Sequence, residues 1–335
     1  MRYGHEHPID TLIRPRTRLR ATPTLLALAA LLALGQGSAL ACATPPPPVH
    51  DIDANRYYTD ARSSIIDPVL RARNEAAVKP VNDYLEEVAR AANAWQVRRD
   101  PQDAACALNW LDAWAKQGAL LGKMSTNQSY YTRKWTLGGL ALSYARVQAV
   151  ATPAQRQAIE AWFAKLADAT IAHSDAHKGV RNNHYYWEGL AVSAVGAVTG
   201  GARYQAWGRK VFDDAMLQVQ PDGSLPHETA RAAKALHYHL YAAAPLVLMA
   251  SIHDLQHPAL DRLVRFAADG VADPAAIERM AGAAQERPPR VPGWIAIYDR
   301  QAAQPVSTQP PPADNWDARM GGDRSLANPL EHPRR

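Results

Sequence analysis

From about Pro68 to Gly282, nearly every segment of the chain carries apolar residues at the helical spacing, and none shows the sustained alternation of a half-buried strand. The periodic segments are Val69 to Trp95, Ala104 to Gln117, Tyr131 to Val150, Pro153 to Ala172, Tyr185 to Val198, Ala202 to Val219, Glu228 to Leu255 and Pro258 to Gly270. Between them stand residues that stop and start helices: Gly118, Thr152-Pro153, Gly200-Gly201 and Pro221-Asp222-Gly223. Links this short favour antiparallel neighbours stacked as hairpins. No fixed repeat period runs through them, which counts against an open array. The expected fold is all-α, a single (α/α) toroid, or incomplete α/α barrel, of antiparallel helical hairpins.

The N-terminus reads as an export signal. Arg14, Arg16, Arg18 and Arg20 precede an apolar run from Leu25 to Leu34 too short to span a bilayer, and Ala39-Leu40-Ala41 has the small-x-small form of a cleavage site. Residues 1–41 are therefore expected to be a signal peptide, 42–56 a stiff leader built on Pro45 to Pro48, 57–323 the catalytic domain and 324–335 a disordered tail. The chain carries a formal +5, but five arginines and two acids precede residue 42, leaving 32 bases against 30 acids. No basic block with interleaved aromatics follows, which excludes a phosphate-tracking groove and nucleic acid as partner. The only cysteines, Cys42 and Cys106, are candidates for one bridge in an oxidising compartment, with a lipid anchor on Cys42 as the rival. A periplasmic or secreted monomer is expected, without membrane attachment once the signal is removed.

Two polar, aromatic clusters interrupt the apolar helices. Arg181 to Trp187 reads Arg-Asn-Asn-His-Tyr-Tyr-Trp, and His237 to Tyr241 reads His-Tyr-His-Leu-Tyr behind Arg231. In the first, Asn is a favoured helix cap, so His184 falls near a helix start with Trp187 on its face. In the second, Arg231 and Tyr238 are seven positions apart, two turns of an unbroken helix, and would share one face. Burying a guanidinium with phenols and imidazoles is costly unless they surround a polar cavity. An anionic ligand fits such a cavity. His173 and His177 could face one another along a helix, but no HExxH and no completing carboxylate accompany them, so no metal is expected. No G-x-S-x-G elbow or phosphate-binding glycine loop is present.

Taken in order, Ala105 to Trp110, Trp114 to Leu120, Arg133 to Gly138, Asn182 to Trp187, Leu225 to Glu228, Ala235 to His239 and Arg319 to Asp323 resemble the alginate lyases of polysaccharide lyase family five, over roughly Tyr57 to Asp323. The resemblance implies a toroid whose cleft or tunnel binds a chain of uronic acids and β-elimination of its 4-linked glycosidic bonds without a cofactor. Asn183 and His184 match the family's Asn-His pair, Arg231 its carboxylate-binding arginine and Tyr238 its catalytic tyrosine. The family's Lys-Tyr pair in an N-terminal lid has its nearest match in Arg56-Tyr57, and His237 stands where the family has a small or polar residue. Trp187, Tyr186, Tyr241, Tyr130 and Trp135 are candidates for stacking on sugars. Gln128, Arg133, Lys134 and Arg319 are candidates for binding hydroxyls and carboxylates.

The chemistry needs these residue types. The C5 proton of a uronate becomes acidic only when its carboxylate is neutralised, for which Arg231, the Asn183 amide and His184 supply donors. Tyr238 can take that proton and return it to O4 where both lie on one side of the ring, as in mannuronate, provided Arg231 and the imidazoles favour phenolate. Where they lie on opposite sides, as in guluronate or glucuronate, His184 is the base and Tyr238 the acid. Polymannuronate is the first expectation. A broader polyuronide preference, including glucuronan or hyaluronan, and a non-catalytic polymer-binding protein are the alternatives.

Overall fold

The first five long helices begin where the sequence supplies a side-chain cap. The computed structural model describes residues 42–332 apart from 178, 287, 289–291 and 307–314, so the expected signal peptide lies outside the described residues. Helix α1 (Pro68–Arg98) starts after Asp67, whose carboxylate accepts the N–H groups of Val69 and Leu70 at 2.8 and 2.9 Å. Asp100 does the same for α2 (Pro101–Lys116), Thr126 for α3 (Asn127–Val147), and Thr152 closes a capping box with Gln155 on α4 (Pro153–Ala176). There follow α5 (Asn183–Thr199), α6 (Ala202–Met216), the single turn α7 (Pro226–Thr229), α8 (Ala235–Ile252), α9 (Pro258–Ala272), α10 (Ala275–Ala281) and α11 (Trp294–Asp299).

Burial divides these helices into inner and outer sets. Sixteen of 21 residues in α3, 14 of 17 in α5 and 16 of 18 in α8 are buried, against seven of 24 in α4 and six of 15 in each of α6 and α9. The inner helices are buried nearly all round and the outer ones on one face, as antiparallel hairpins closing on a shared core require. The expected all-α toroid is what the chain forms. Helix α8 is long and apolar enough to cross a membrane, yet 89% of its apolar window is buried among the other helices, which makes it a core helix. Pro245 sits inside α8 and has no N–H to give Tyr241. The Tyr241 carbonyl accepts the Trp187 indole N–H instead, at 3.2 Å, joining α8 to α5.

The leader is part of the domain. Trp110 and Trp114 donate to the carbonyls of Ala43 and Pro46 at 2.8 and 3.0 Å, and Cys42 is disulfide-bonded to Cys106 on α2. That bond occupies the sulfur a lipid anchor would need. The tail from 324, expected to be disordered, is instead folded down through residue 332: Asn328, buried, donates to the Leu142 carbonyl at 3.0 Å, and Glu331 pairs with Arg300 at 2.8 Å. Between α11 and this tail, β1 (Trp316–Asp317) and β2 (Gly322–Asp323) form a two-residue antiparallel ladder. Its connecting turn lies so close to α3 that a side chain at Gly139 would collide with the Ala318 carbonyl. The turn thereby delivers Arg319 to the inner helices.

One expected helix is broken. Glu228 to Leu255 does not run continuously: α7 ends at Thr229, Ala232 takes a left-handed φ of 51°, a 3-10 turn spans Ala232–Lys234, and only then does α8 begin. Left-handed backbone at a residue with a side chain costs about 1 kcal/mol or more and persists where surroundings over-determine it. Here Gln285 donates to the Ala232 carbonyl and accepts from the Leu236 N–H, and Glu286 N–H donates to the Ala233 carbonyl.

Candidate active site

Five pieces of chain converge at one end of the inner helices: the first half of α3, the start of α5, the α7–α8 turn, the loop before α1 and the turn carrying Arg319. The cap of α5 is Asn182, whose side chain accepts the His184 N–H at 3.1 Å. Asn183 is therefore released from the capping role that the sequence allowed it. It is fully buried, and its backbone N–H and side-chain Nδ2 both donate to Glu228, at 2.9 Å and at 3.0 and 3.1 Å. The donor expected to face a substrate carboxylate is thus committed to Glu228, and Oδ1 is the end without a protein partner.

His184 is clamped from below and beside. Its imidazole stacks on Tyr131 at 3.6 Å between ring centres, its carbonyl accepts from Lys134 Nζ at 2.6 Å, and its Nδ1 is buried without a protein partner. Burial, followed by the charges of Lys134 and Arg231, holds the ring well below the usual histidine range, so it is neutral at pH 7. Lys134 itself is 1% exposed and paired with Glu188 at 3.2 Å; burial draws its pKa down to about 8. The expectation that Lys134 contacts sugar is corrected: it supports His184. Arg133 is likewise turned inward, donating to the Ala169 carbonyl at 2.9 Å.

Arg231 and Tyr238 meet, but across the break rather than along a helical stripe. The guanidinium carbon lies 4.5 Å from the centre of the Tyr238 ring. The Arg231 Nε is 3.7 Å from Glu228, and Nη1 donates to the Arg62 carbonyl at 3.3 Å. Tyr238 is 7% exposed, with its hydroxyl 2.8 Å from that of Tyr58. Burial and Tyr58 raise the Tyr238 pKa above its ordinary value while Arg231 pulls it down. The net direction is upward. The neighbours expected to favour phenolate therefore leave Tyr238 a phenol here, because desolvation of the anion outweighs one guanidinium.

The remaining candidates divide between rim and core. Trp135 lies 6.2 Å from the His184 ring, with Arg319 4.8 Å above its own ring and an indole N–H that is buried without a protein partner. Tyr241 is half-buried against Trp187 and Trp135, at 5.1 and 6.3 Å. His237 is exposed, edge-on to Tyr238 at 5.1 Å and parallel to Tyr241 at 6.1 Å. Tyr130 is half-buried and stacked on His173 at 3.6 Å, while Gln128 is half-buried and follows Asn127, which with Tyr131, His173 and His184 lines a cavity of about 260 Å³. Tyr186 and Trp187, at 1% and 2% exposure, belong to the core and not to the cleft wall. Arg56 is exposed, donating to the Asp60 carbonyl at 2.6 Å, and it is Tyr58 rather than Tyr57 that reaches Tyr238. Sequence reasoning missed Tyr58, Tyr131, Glu188 and Glu228. Only Glu228 had a signal, its place in the Leu225 to Glu228 motif.

This geometry concentrates unpaired buried polar atoms (Asn183 Oδ1, His184 Nδ1, Trp135 Nε1) beside a guanidinium and a phenol. Buried polar atoms are ordinarily paired, so these three make this end of the inner helices the candidate site for a polar ligand. Comparison with known proteins identifies the family. The alginate lyase family model matches residues 51–285. A polysaccharide lyase of Stenotrophomonas maltophilia is 43% identical over 84% of this chain and 86% of its own length. An alginate lyase of Pseudomonas fluorescens is 34% identical over 65% of this chain and 64% of its own. Among solved structures, a variant of alginate lyase A1-III complexed with a tetrasaccharide superposes with a TM-score of 0.71 at 25% identity, covering 88% of this chain and 86% of that one. The chain belongs to the alginate lyase family.

Proposed function

We propose that this protein is an exported lyase that cleaves 4-linked polyuronides, polymannuronate and alginate first among them, by β-elimination. The observation that carries the reading is the meeting of Arg231, Tyr238, His184 and Asn183 in one buried site within a chain of this family. Support for an anionic polysaccharide as partner comes from the structural relative complexed with a tetrasaccharide and from the Arg231 and Arg319 guanidiniums flanking aromatic rings. The Cys42–Cys106 disulfide supports an oxidising compartment, periplasmic or secreted.

In the reaction the Arg231 fork takes the uronate carboxylate, exchanging the Arg62 carbonyl for a charged acceptor. His184, neutral with an unclaimed Nδ1, adds to stabilisation of the enediolate. Loss of the C5 proton and breakage of the C4–O4 bond leave a C4=C5 double bond on one fragment, and the proton ends on O4 of the other. Tyr238 is the donor to O4. On mannuronate it is also the base, which requires ionisation, and seating sugar against Tyr238 in place of Tyr58 removes one of the influences that raise its pKa. Elimination conserves mass, whereas hydrolysis adds one water per cut. Mass spectrometry of polymannuronate digests is therefore expected to find fragments one water lighter than saturated oligomers; saturated fragments alone would refute the proposal.

A further inference from the structure

Glu228 is an anomaly in a site built to bind carboxylates. It is 0% exposed, and its negative charge opposes the entry of another anion. Burial raises its pKa, and the Asn183 hydrogen bonds and Arg231 act against that rise. Yet its two oxygens reach both Asn183 and Arg231. Oε1 accepts the Asn183 backbone N–H and Nδ2 at 2.9 and 3.0 Å, and Oε2 accepts Nδ2 at 3.1 Å and stands 3.7 Å from Arg231 Nε. Approach at Nε leaves Nη2, and Nη1 once it gives up the Arg62 carbonyl, for a forked pair with another acceptor. Contact at Nδ2 decides which end of the Asn183 amide is free.

We infer that Glu228 is the positioning residue of this active site, fixing the Asn183 amide and the Arg231 fork relative to one another so that the fork meets the uronate carboxylate while Asn183 Oδ1 is held to accept from a hydroxyl of the same sugar. Its own place is over-determined. The Glu228 N–H donates to the Leu225 carbonyl at 2.9 Å, and the Leu225 N–H is received by His239 Nε2 at 3.0 Å, which ties the α7 turn to α8. The competing explanation is structural: an anion satisfying a free N–H at the start of α5. The two differ in what happens when Asn183 loses its side chain.

The inference rests on the lyase reading, and a double-mutant cycle tests it with that reading as its control. Rates on polymannuronate are measured for the unsubstituted protein, Glu228→Gln, Asn183→Ala and the double variant, with thermal midpoints for each. Glutamine keeps the shape but sets an amide N–H₂ against Asn183 Nδ2, forcing one amide to turn. Glu228→Gln is expected to lower kcat by about 10²-fold with KM changed by less than about threefold, and to cost at least about tenfold less in the Asn183→Ala background. Should Glu228→Gln not fold, Glu228→Asp retains the charge, withdraws it by one methylene and carries the same cycle. Independent, multiplying losses, or a loss confined to KM, would overturn the positioning role while leaving the lyase standing. An unsubstituted protein without activity on any polyuronide would overturn both.

Discussion

The hydroxyls of Tyr58 and Tyr238 lie 2.8 Å apart, one on the loop before α1 and one on α8, 180 residues away in sequence. That loop is held as a unit: Asp60 accepts the N–H groups of Ser64 and Ile65, both at 2.8 Å, and Asp67 N–H donates to the Tyr57 carbonyl at 2.9 Å. Burial of Tyr238 and its bond to Tyr58 both oppose ionisation. Where Tyr238 must act as a base, its ionised fraction rises about tenfold per pH unit below its pKa. Activity on polymannuronate is therefore expected to climb with pH through the neutral and mildly alkaline range. Tyr58→Phe removes one upward influence and should shift that rise to lower pH. Profiles of kcat/KM against pH for the two proteins check this; an unshifted profile would contradict it.

Tyr238 is expected to separate catalysis from binding. Tyr238→Phe keeps the ring beneath Arg231, 4.5 Å from the guanidinium, and removes only the hydroxyl. A positioned acid or base contributes about 10²–10⁴-fold. Turnover should fall by that factor while the affinity for polymannuronate, read by calorimetry on the variant, changes by less than about threefold. Equal losses of rate and affinity would reduce Tyr238 to a contact residue.

His239 makes the fold sensitive to acid. Its Nε2 accepts the Leu225 N–H at 3.0 Å, so its Nδ1 carries the hydrogen donated to the Ala235 carbonyl at 2.8 Å, and the ring is neutral. Burial depresses its pKa to about 4. The unfolded chain takes up a proton below pH ~6.5 while the folded one does not until about 4, so stability present above the higher value is lost as pH falls between them, by up to ~3 kcal/mol. Urea unfolding at a series of pH values should show His239→Gln to be less stable than the parent at pH 8 yet to lose less on acidification. Parallel pH dependences would contradict this.

His237 is exposed, with its ring centre 5.1 Å from that of Tyr238. It is expected to govern choice among uronates more than rate. Replacement by Ala should change the ratio of kcat/KM values for polymannuronate and polyglucuronate by about tenfold, a difference of ~1.4 kcal/mol in transition-state binding. Equal changes on both polymers would assign His237 a different task.

How much of this was legible in the sequence varies with the physics involved. Helices declared themselves because periodicity and caps are local: Pro153 and Ala202 start α4 and α6 where expected. The break at Arg231 to Lys234 was hidden, because it is held by Gln285 and Glu286 from some fifty residues away, and the segment's own residues are compatible with helix. Arg231 and Tyr238 were paired for the wrong reason, two turns of a helix that does not exist, and meet nonetheless. The inward turn of Lys134 and Arg133 was equally invisible, since a charged residue on a helix reads as exposed until its partners, Glu188 and the Ala169 carbonyl, are folded against it. Tyr58 had no local mark at all. Its role exists only through a contact 180 residues distant.

The central claim is tested most directly by initial rates on polymannuronate, polyguluronate, polyglucuronate and hyaluronan, following the ultraviolet absorbance of newly formed unsaturated ends. The account predicts absorbance rising fastest on polymannuronate, without added metal or cofactor, and slowed about 10²–10⁴-fold by Tyr238→Phe. No unsaturated ends from any of the four polymers would contradict it.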